Sequence, residues 1–232
     1  MNIIDPMVGV PAYEATPALM SLTEVAPAKI DGRTLRSERT HERIVGATLA
    51  LIREGDPQPR TADIAERAGV SVRSIFQHFA DTEALFVAVA DKVVQEVINL
   101  TRPIPEGASL RERIDALVEQ HAGASETLLP IIRSIAANQG HSPALAERSR
   151  AGRLFARHRT EIALRPELDS LPAPLRLGTL DSLSAATDWD VWANLRTHHG
   201  LDIGAATAVL RRLVRSVIEA SLAEAGKAID AR

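Results

Sequence analysis

The sequence contains no cysteine. This absence excludes disulfide bonds, thiolate metal sites and cysteine nucleophiles, and it is compatible with the cytoplasmic location that we expect. The chain also lacks any apolar run approaching the roughly 20 residues of a membrane-spanning helix. Its first thirty residues have neither a basic start nor a continuous apolar block, so they do not predict a secretory signal.

Aromatic residues are also scarce, at 3% of the 232 residues, whereas Ala, Leu, Val, Ile, Glu and Arg are abundant. This mixture favours helices over sheets. No stretch of period-two alternation is long enough to predict a strand, and no repeat stands out. We therefore predict an all-α fold.

The sequence has no strongly basic segment. Residues 33–102 contain ten cationic and ten anionic side chains, and residues 103–232 contain sixteen of each. The formal net charge of −3 gives no general attraction for nucleic acid. Any DNA binding must therefore depend on a few well-placed cations.

Motifs of common enzyme classes are missing as well. The sequence has no G-x-S-x-G, G-x-G-x-x-G, phosphate-binding loop or H-E-x-x-H motif. His198, His199 and Asp202 suggest a metal site at first sight, but adjacent histidines on a helix point to different sides. We expect no enzyme activity, no metal and no cofactor.

The N-terminal segment, residues 1–36, contains four prolines and no helical periodicity. We interpret it as a flexible tail, and a short segment that docks on the domain is the alternative. From Ser37 an amphipathic helix is predicted, capped by Ser37 or Thr40 and ended by Gly55. The Pro/Gly stretch at residues 101–107 is the predicted domain boundary. Beyond it, helical blocks are predicted at residues 110–125, 127–138, 142–164, 175–198 (with a break near Thr187 and Asp188) and 203–226.

Between these segments, residues 60–79 have the pattern of a helix-turn-helix. Ala65 is small enough for a close helix crossing, and Gly69 permits a left-handed turn. Thr61 and Ser71 are predicted to cap the two short helices, and Asp81 or Thr82 the long helix that follows. Apolar residues at helical spacing fill the crossing: Ile64, Ala68, Val70 and Ile75. Phe76 and Phe79 are expected to wedge the second helix against its neighbours.

Several motifs occur in order here: AGVS at residues 68–71, FQHF at 76–79 and ADTEALF at 80–86. With the arginine-bearing segment before them, residues 37–97 resemble the TetR family of transcriptional regulators. The resemblance implies a helix-turn-helix DNA-binding domain at 37–100, joined through a long helix to a helical ligand-binding and dimerisation domain at 108–228. It also implies a homodimer that binds a palindromic operator, usually as a repressor, and that responds to a small-molecule effector.

The resemblance makes Val72–Phe79 the recognition helix. Arg73 and Gln77 share one helix face, where they can bind guanine and adenine, and Val72 can contact a thymine methyl group. The set of residues expected at DNA is Arg33, Arg36, Thr61, Ser71, Val72, Arg73, Ser74, Gln77, His78 and Thr82. In this set Arg33 and Arg36 belong to a basic arm, and Thr61, Ser71 and His78 are placed for phosphates.

Two positions depart from the family pattern. Phe76 stands where relatives often have tyrosine, and Thr82 stands where they often have lysine. Both usual residues resemble phosphate anchors, so we expect fewer ionic contacts and a shallower salt dependence than in other members.

The C-terminal region is predicted with less detail. The resemblance implies an effector cavity, with candidate lining residues His121, Ile132, Phe155, His158 and Trp189. It also implies a dimer interface, with apolar candidates Leu180, Leu183, Leu210, Leu213, Val214, Val217 and Ile218. Packing within one subunit gives the same pattern in each case. A second functional hypothesis, a small-molecule-binding adaptor that has lost specific DNA binding, is motivated by the near-neutral N-terminal region, Phe76 and Thr82.

Overall fold

The structure is a computed structural model that describes residues 32–138 and 142–230, and the regular secondary structure in these ranges is helical. Most of the predicted N-terminal tail lies outside the described residues. The helices are α1 (Gly32–Arg53), α2 (Thr61–Ala68), α3 (Val72–His78), α4 (Thr82–Leu100), α5 (Leu110–Asn138), α6 (Pro143–Ala163), α7 (Arg165–Asp169), α8 (Ala173–Ala186), α9 (Trp189–Thr197) and α10 (Ile203–Asp230).

The chain divides into two compact units, Met1–Arg39 and Thr40–Arg232. In the first unit, the described residues form the start of α1. This helix begins at Gly32, earlier than the predicted start at Ser37 or Thr40. Residues 33–37 contain no proline or glycine, so no residue type there stops the helix.

In the second unit, the turn between α2 and α3 has the predicted chemistry. Gly69 adopts φ 63° in the left-handed region, which ends α2. Ser71 Oγ accepts a hydrogen bond from the Ser74 amide at 3.1 Å and caps α3. Asp81 caps α4 by accepting from the Ala84 amide at 2.8 Å. The cap predicted at Thr61 is wrong, because α2 already begins at that residue and no side chain caps it.

A continuous apolar cluster, here called the N-terminal cluster, holds α1 to α4 together and extends into α5 and α6. It contains Ile64, Ile75 and Phe79 from the helix-turn-helix. Its buried residues beyond the loop at residues 101–109 are Leu128, Ile131 and Leu145. The partly buried Trp189 also packs against it. The helix-turn-helix therefore shares a core with α5 and α6.

Polar contacts join the same elements. The Arg148 guanidinium of α6 forms two hydrogen bonds to the Asp91 carboxylate of α4, at 3.0 and 3.3 Å. Ser134 Oγ of α5 donates to the Pro57 carbonyl oxygen at 2.7 Å. These contacts fix α5 and α6 against the N-terminal helices at defined points.

A second apolar cluster lies among α5 to α10. Leu183, Trp192, Val214 and Ile218 are among its buried side chains. Within this region the Thr179 hydroxyl of α8 donates to the Ser221 hydroxyl of α10 at 2.8 Å. The cluster therefore joins α8 and α10 in one bundle.

One predicted helix boundary is absent from the structure and another is present. The predicted blocks at 110–125 and 127–138 form one helix, α5, which contains Pro130. The predicted break near Thr187 and Asp188 is present between α8 and α9. Within the described residues, none of the helices is both long enough and apolar enough to cross a membrane.

Candidate nucleic-acid interface

Helix α3 has one exposed face and one buried face. Val72, Arg73, Phe76 and Gln77 are exposed, and they follow the spacing of neighbours on one side of a helix. Ile75 points into the N-terminal cluster. The predicted base-reading residues therefore share the solvent side of α3, with Ser74 partly buried beside them.

Phe79 and two histidines support the end of α3. The His41 ring centroid lies 4.6 Å from that of Phe79 and 6.5 Å from that of His78. Burial, and then the nearby His78, lower the pKa of His41. Phe79 is buried, as predicted for a wedge residue.

Phe76 corrects the sequence-based expectation. It was predicted to wedge α3 against its neighbours, but 49% of its surface is exposed. The reason is its position next to Gln77 and four residues after Val72, which places it on the outer face. The outer face of α3 is therefore more apolar than expected.

Arg43 of α1 clamps the turn of the helix-turn-helix. Its Nε and Nη2 donate to the Ala68 carbonyl oxygen at 3.2 and 2.8 Å, and Nη2 also donates to that of Gly69 at 3.0 Å. The guanidinium thus satisfies carbonyl groups that the end of α2 leaves unpaired. Sequence reasoning missed this residue, because its role depends on how α1 packs and no local motif marks it.

Replacing Arg43 with methionine should lower the free energy of unfolding by about 1 to 2 kcal/mol, because hydrogen bonds to a charged donor are lost at a partly solvated site. Urea denaturation measures this change. Arg53→Met is the matched control on the same helix, since Arg53 forms a surface ion pair with Glu96 and should cost less than about 1 kcal/mol. Equal losses in both variants would contradict the clamp.

Three other arginines near the helix-turn-helix form ion pairs with acidic residues. Arg53 pairs with Glu96, Arg60 pairs with Asp63, and Arg67 forms two hydrogen bonds to Glu54, each of 2.8 Å. The Arg67 side chain lowers the pKa of the Glu54 carboxyl. Arg73, in contrast, forms no hydrogen bond or ion pair within the described part of the chain, so its guanidinium is available to a ligand.

The remaining predicted DNA contacts are placed as follows. Ser71 and Thr82 are exposed, and Thr61 and His78 are partly buried. In the first unit, Arg36 is exposed and its Nε donates to the Gly32 carbonyl oxygen at 3.1 Å. The side chain of Arg33 lies outside the described residues. The role of the basic arm stays a prediction.

The structure places the five predicted effector residues in different surroundings. Trp189 lines a cavity on the second unit, and the other four are absent from its lining. Ile132 packs against the N-terminal cluster, while Phe155 and His158 are partly buried on α6. The His121 imidazole lies 3.1 Å from Ser125 Oγ through Nε2. Burial lowers the pKa of His121 to about 4, and Asp188 opposes this shift.

The residues predicted for the dimer interface divide into two groups. Five of them pack in the subunit's own core, the alternative that the sequence left open: Leu180, Leu183, Leu210, Val214 and Ile218. Val217 is partly buried, and Leu213 is 39% exposed. The seven residues therefore do not form one surface.

Metal ligands are not assembled in the described ranges. Across residues 32–138 and 142–230, no group of three or more His, Asp or Glu side chains is arranged to hold a metal ion. Asp202 instead caps α10 by accepting from the Ala205 amide at 2.7 Å. His198 and His199 are exposed beside this turn.

A short helix with an outward reading face, set across a glycine turn and supported by a long following helix, defines a helix-turn-helix DNA-binding protein. Residues 44–89 match the sequence model of the family described as "Bacterial regulatory proteins, tetR family". The chain therefore carries a TetR-type DNA-binding domain over the region that contains the helix-turn-helix. No curated protein sequence matches the chain.

Solved structures share the fold over most of the chain. A transcriptional regulator from Rhodococcus sp. RHA1 has a TM-score of 0.62 at 17% identity, covering 78% of this chain and 96% of its own. A TetR-family regulator from Mesorhizobium loti has a TM-score of 0.58 at 23% identity, covering 81% and 97%. One from Haloarcula marismortui has a TM-score of 0.59 at 15% identity, covering 79% and 98%. The all-helical fold, with an N-terminal helix-turn-helix and a C-terminal helical region, is thereby confirmed.

Proposed function

We propose that this protein is a ligand-responsive repressor that acts in the cytoplasm and binds a palindromic operator as a homodimer. The observation that carries the proposal is the outer face of α3, where Arg73 and Gln77 are exposed together. Such a face fits the major groove, in which base edges present distinct patterns of donors and acceptors.

Each exposed residue of α3 has a chemical partner in the groove. Arg73 donates two hydrogen bonds to guanine O6 and N7, and Gln77 pairs with adenine N6 and N7. Val72 contacts a thymine methyl group. Phe76, which is exposed beside them, adds a second apolar surface for methyl groups. The reading face thus combines two hydrogen-bonding and two apolar side chains.

Phosphate contacts fix this face on the duplex. The hydroxyl groups of Ser71 and Thr82 are exposed near the starts of α3 and α4, and they donate to phosphate oxygens without adding charge. Thr61, His78 and the arm residues Arg33 and Arg36 complete the proposed contacts. Since few of these groups are cationic, the affinity should depend less on salt than it does for more basic relatives.

Dimerisation is supported by the outer faces of α8 and α10. An exposed or partly exposed stripe of small and apolar residues follows α10 at helical spacing: Ala205, Val209, Leu213, Ser216, Ala220 and Ala223. On α8, Leu177 is 57% exposed, and Gly178 and Ala185 are exposed with it. Small side chains allow two copies of these helices to approach closely in a symmetric interface.

Ala220→Arg should convert the dimer to a monomer, because a long charged side chain would enter the helix packing within the stripe. Light scattering coupled to size-exclusion chromatography measures the molar mass. Ala62→Arg, at an exposed position of α2, is the matched control and should remain dimeric. A dimeric Ala220→Arg protein would place the interface elsewhere.

The response to a ligand follows from differential binding. An effector releases the operator only if it binds the DNA-incompetent arrangement more tightly than the competent one. The N-terminal cluster supports such a switch, because Leu128, Ile131 and Leu145 join the core of the helix-turn-helix. A shift of α5 or α6 therefore changes the packing under the recognition helix.

Selection of bound sequences from a random DNA pool tests the proposal. The expected result is an inverted repeat whose half-sites are separated by about one helical turn. Failure to enrich any sequence at moderate salt, with a folded protein, would remove specific DNA binding and leave the adaptor hypothesis.

The adaptor hypothesis has one observation in its favour. Arg53, Arg60 and Arg67 are neutralised by acidic partners, which reduces the attraction for phosphates. An adaptor would bind its small molecule and still fail to distinguish operator from random DNA. The selection experiment separates the two functions directly.

A further inference from the structure

A cavity of about 250 Å³ lies between α6, α8 and the beginning of α9. This volume is just below the roughly 300 to 1,000 Å³ of common ligand sites, so the cavity suits a compact ligand. Its lining residues are Arg150, Arg153, Leu154, Ala156, Arg157, Ser184, Ala185, Thr187, Asp188 and Trp189.

One wall of the cavity is flat and apolar. Trp189 lies against α6 at Gly152, where an added Cβ would collide with the indole Cη2. Glycine thus lets the ring approach the helix backbone closely. Leu154 in the same lining is 53% exposed. Planar apolar groups stack favourably on such a surface.

Arg153 holds this wall in place. Its Nε donates to Asp188 at 3.0 Å and its Nη2 to Asp190 at 2.9 Å. Its Cζ lies 5.9 Å from the centroid of the Trp189 ring, within the range of a cation–π interaction. Trp189 is therefore held by both the packing and a fixed guanidinium.

Arg150 and Arg157 each use only part of their N–H donors within the part of the chain that the structure describes. Arg150 uses Nη1 for Glu147 at 2.7 Å. Arg157 uses Nη1 for Asp181 at 2.7 Å and Ser184 at 3.1 Å. The Nε and Nη2 atoms of both residues form no hydrogen bond within the described ranges.

Each arginine of the lining has an acidic partner, so the lining offers an anion guanidinium donors rather than a net positive charge. Three arginines line the cavity, while Asp188 is the carboxylate among its lining residues. The acidic partners Glu147, Asp181 and Asp190 are not part of the lining. Guanidinium groups with free N–H pairs bind carboxylates bidentately.

We propose that this cavity binds a planar aromatic carboxylate, with its ring on Trp189 and its carboxylate held by Arg150 and Arg157. The binding of this ligand stands by itself, but its role as an effector rests on the proposed function. Trp189 can connect the cavity to the helix-turn-helix, because it also packs against the N-terminal cluster. A ligand that displaces the indole changes the support of the helix-turn-helix.

Calorimetric titration of the full chain with 2-naphthoate tests the binding. We expect saturable binding, and 2-naphthamide, which has the same shape without the charge, should bind at least about tenfold more weakly. Absence of saturable binding, or equal affinity for the amide, would overturn the proposal.

Arginine variants locate the site. Arg150→Gln and Arg157→Gln should each weaken 2-naphthoate binding about tenfold. The Arg150 side chain is 69% exposed, so its variant should keep the fold even if Arg157→Gln does not. Arg111→Gln is the control, because Arg111 is an exposed arginine paired with Asp115 outside the cavity. Equal weakening in the control, or none in Arg150→Gln, would contradict the assigned site.

The effector role needs the operator obtained by selection. Addition of 2-naphthoate should lower operator affinity in the unaltered protein and have less effect in Arg150→Gln. Binding without any change in operator affinity would overturn the effector role. Calorimetry uses no DNA. The titration therefore tests ligand binding to the cavity even if the protein selects no operator.

Discussion

Simultaneous replacement of Arg73 and Gln77 by alanine is expected to abolish the distinction between operator and random DNA. The two side chains are exposed on one face of α3, and each bidentate base contact contributes roughly 1 to 3 kcal/mol of discrimination. The double variant should therefore lose roughly 2 to 6 kcal/mol per half-site. Fluorescence anisotropy with the selected operator and a scrambled duplex measures both affinities.

The fold should survive this change, because neither side chain belongs to the buried core. Val72→Ala is the graded comparison, since it removes apolar contact and no hydrogen bond, and it should cost less than the double variant. Weak binding to scrambled DNA should persist through the phosphate contacts. A double variant that still prefers the operator would show that bases are read by other residues.

The second large effect concerns stability and pH. Burial lowers the pKa of His121 from 6.5 to about 4. Between these values the unfolded chain takes up a proton at His121, whereas the folded chain does not. Stability is therefore lost as the pH falls from about 6.5 to about 4, by up to about 3 kcal/mol from this residue. Below that range the contribution becomes constant.

His121→Gln should remove this part of the pH dependence, because glutamine can still bond with Ser125 but does not titrate. Urea denaturation at about pH 7.5 and about pH 4.5 gives the loss of unfolding free energy on acidification, which is compared between the variant and the unaltered protein. His199→Gln, at an exposed position, controls for the loss of a histidine. If His121→Gln and the unaltered protein lost equal stability on acidification, the proposed origin of the effect would be refuted.

Local chemistry made the helix-turn-helix predictable. Gly69 with positive φ, the Ser71 cap and the Asp81 cap each depend on residues close in sequence, and all three are present in the structure. The buried positions Ile64 and Ile75 followed from helical spacing in the same way. Where neighbouring residues alone determine the backbone conformation, the sequence was sufficient to predict it.

Features that depend on tertiary contacts were not predictable. Leu180 and Leu213 have the same apolar character, yet one is buried in the subunit and the other is exposed. The exposure of Phe76 and the clamp formed by Arg43 depend on where neighbouring helices lie. Helical spacing shows which residues share an apolar face, but not which element packs against that face. A core helix and a helix at a subunit interface therefore have the same sequence pattern.

The extension of the N-terminal cluster into α5 and α6 has a consequence for exchanging modules between relatives. A chimera joined within residues 101–109 would take Leu128, Ile131 and Leu145 from one parent and the surface that they fill from the other. Mismatched volumes at such a seam cost roughly 1 to 3 kcal/mol per overpacked or emptied position. A working hybrid should therefore inherit these three side chains together with the DNA-binding helices, rather than with the other residues that follow the loop.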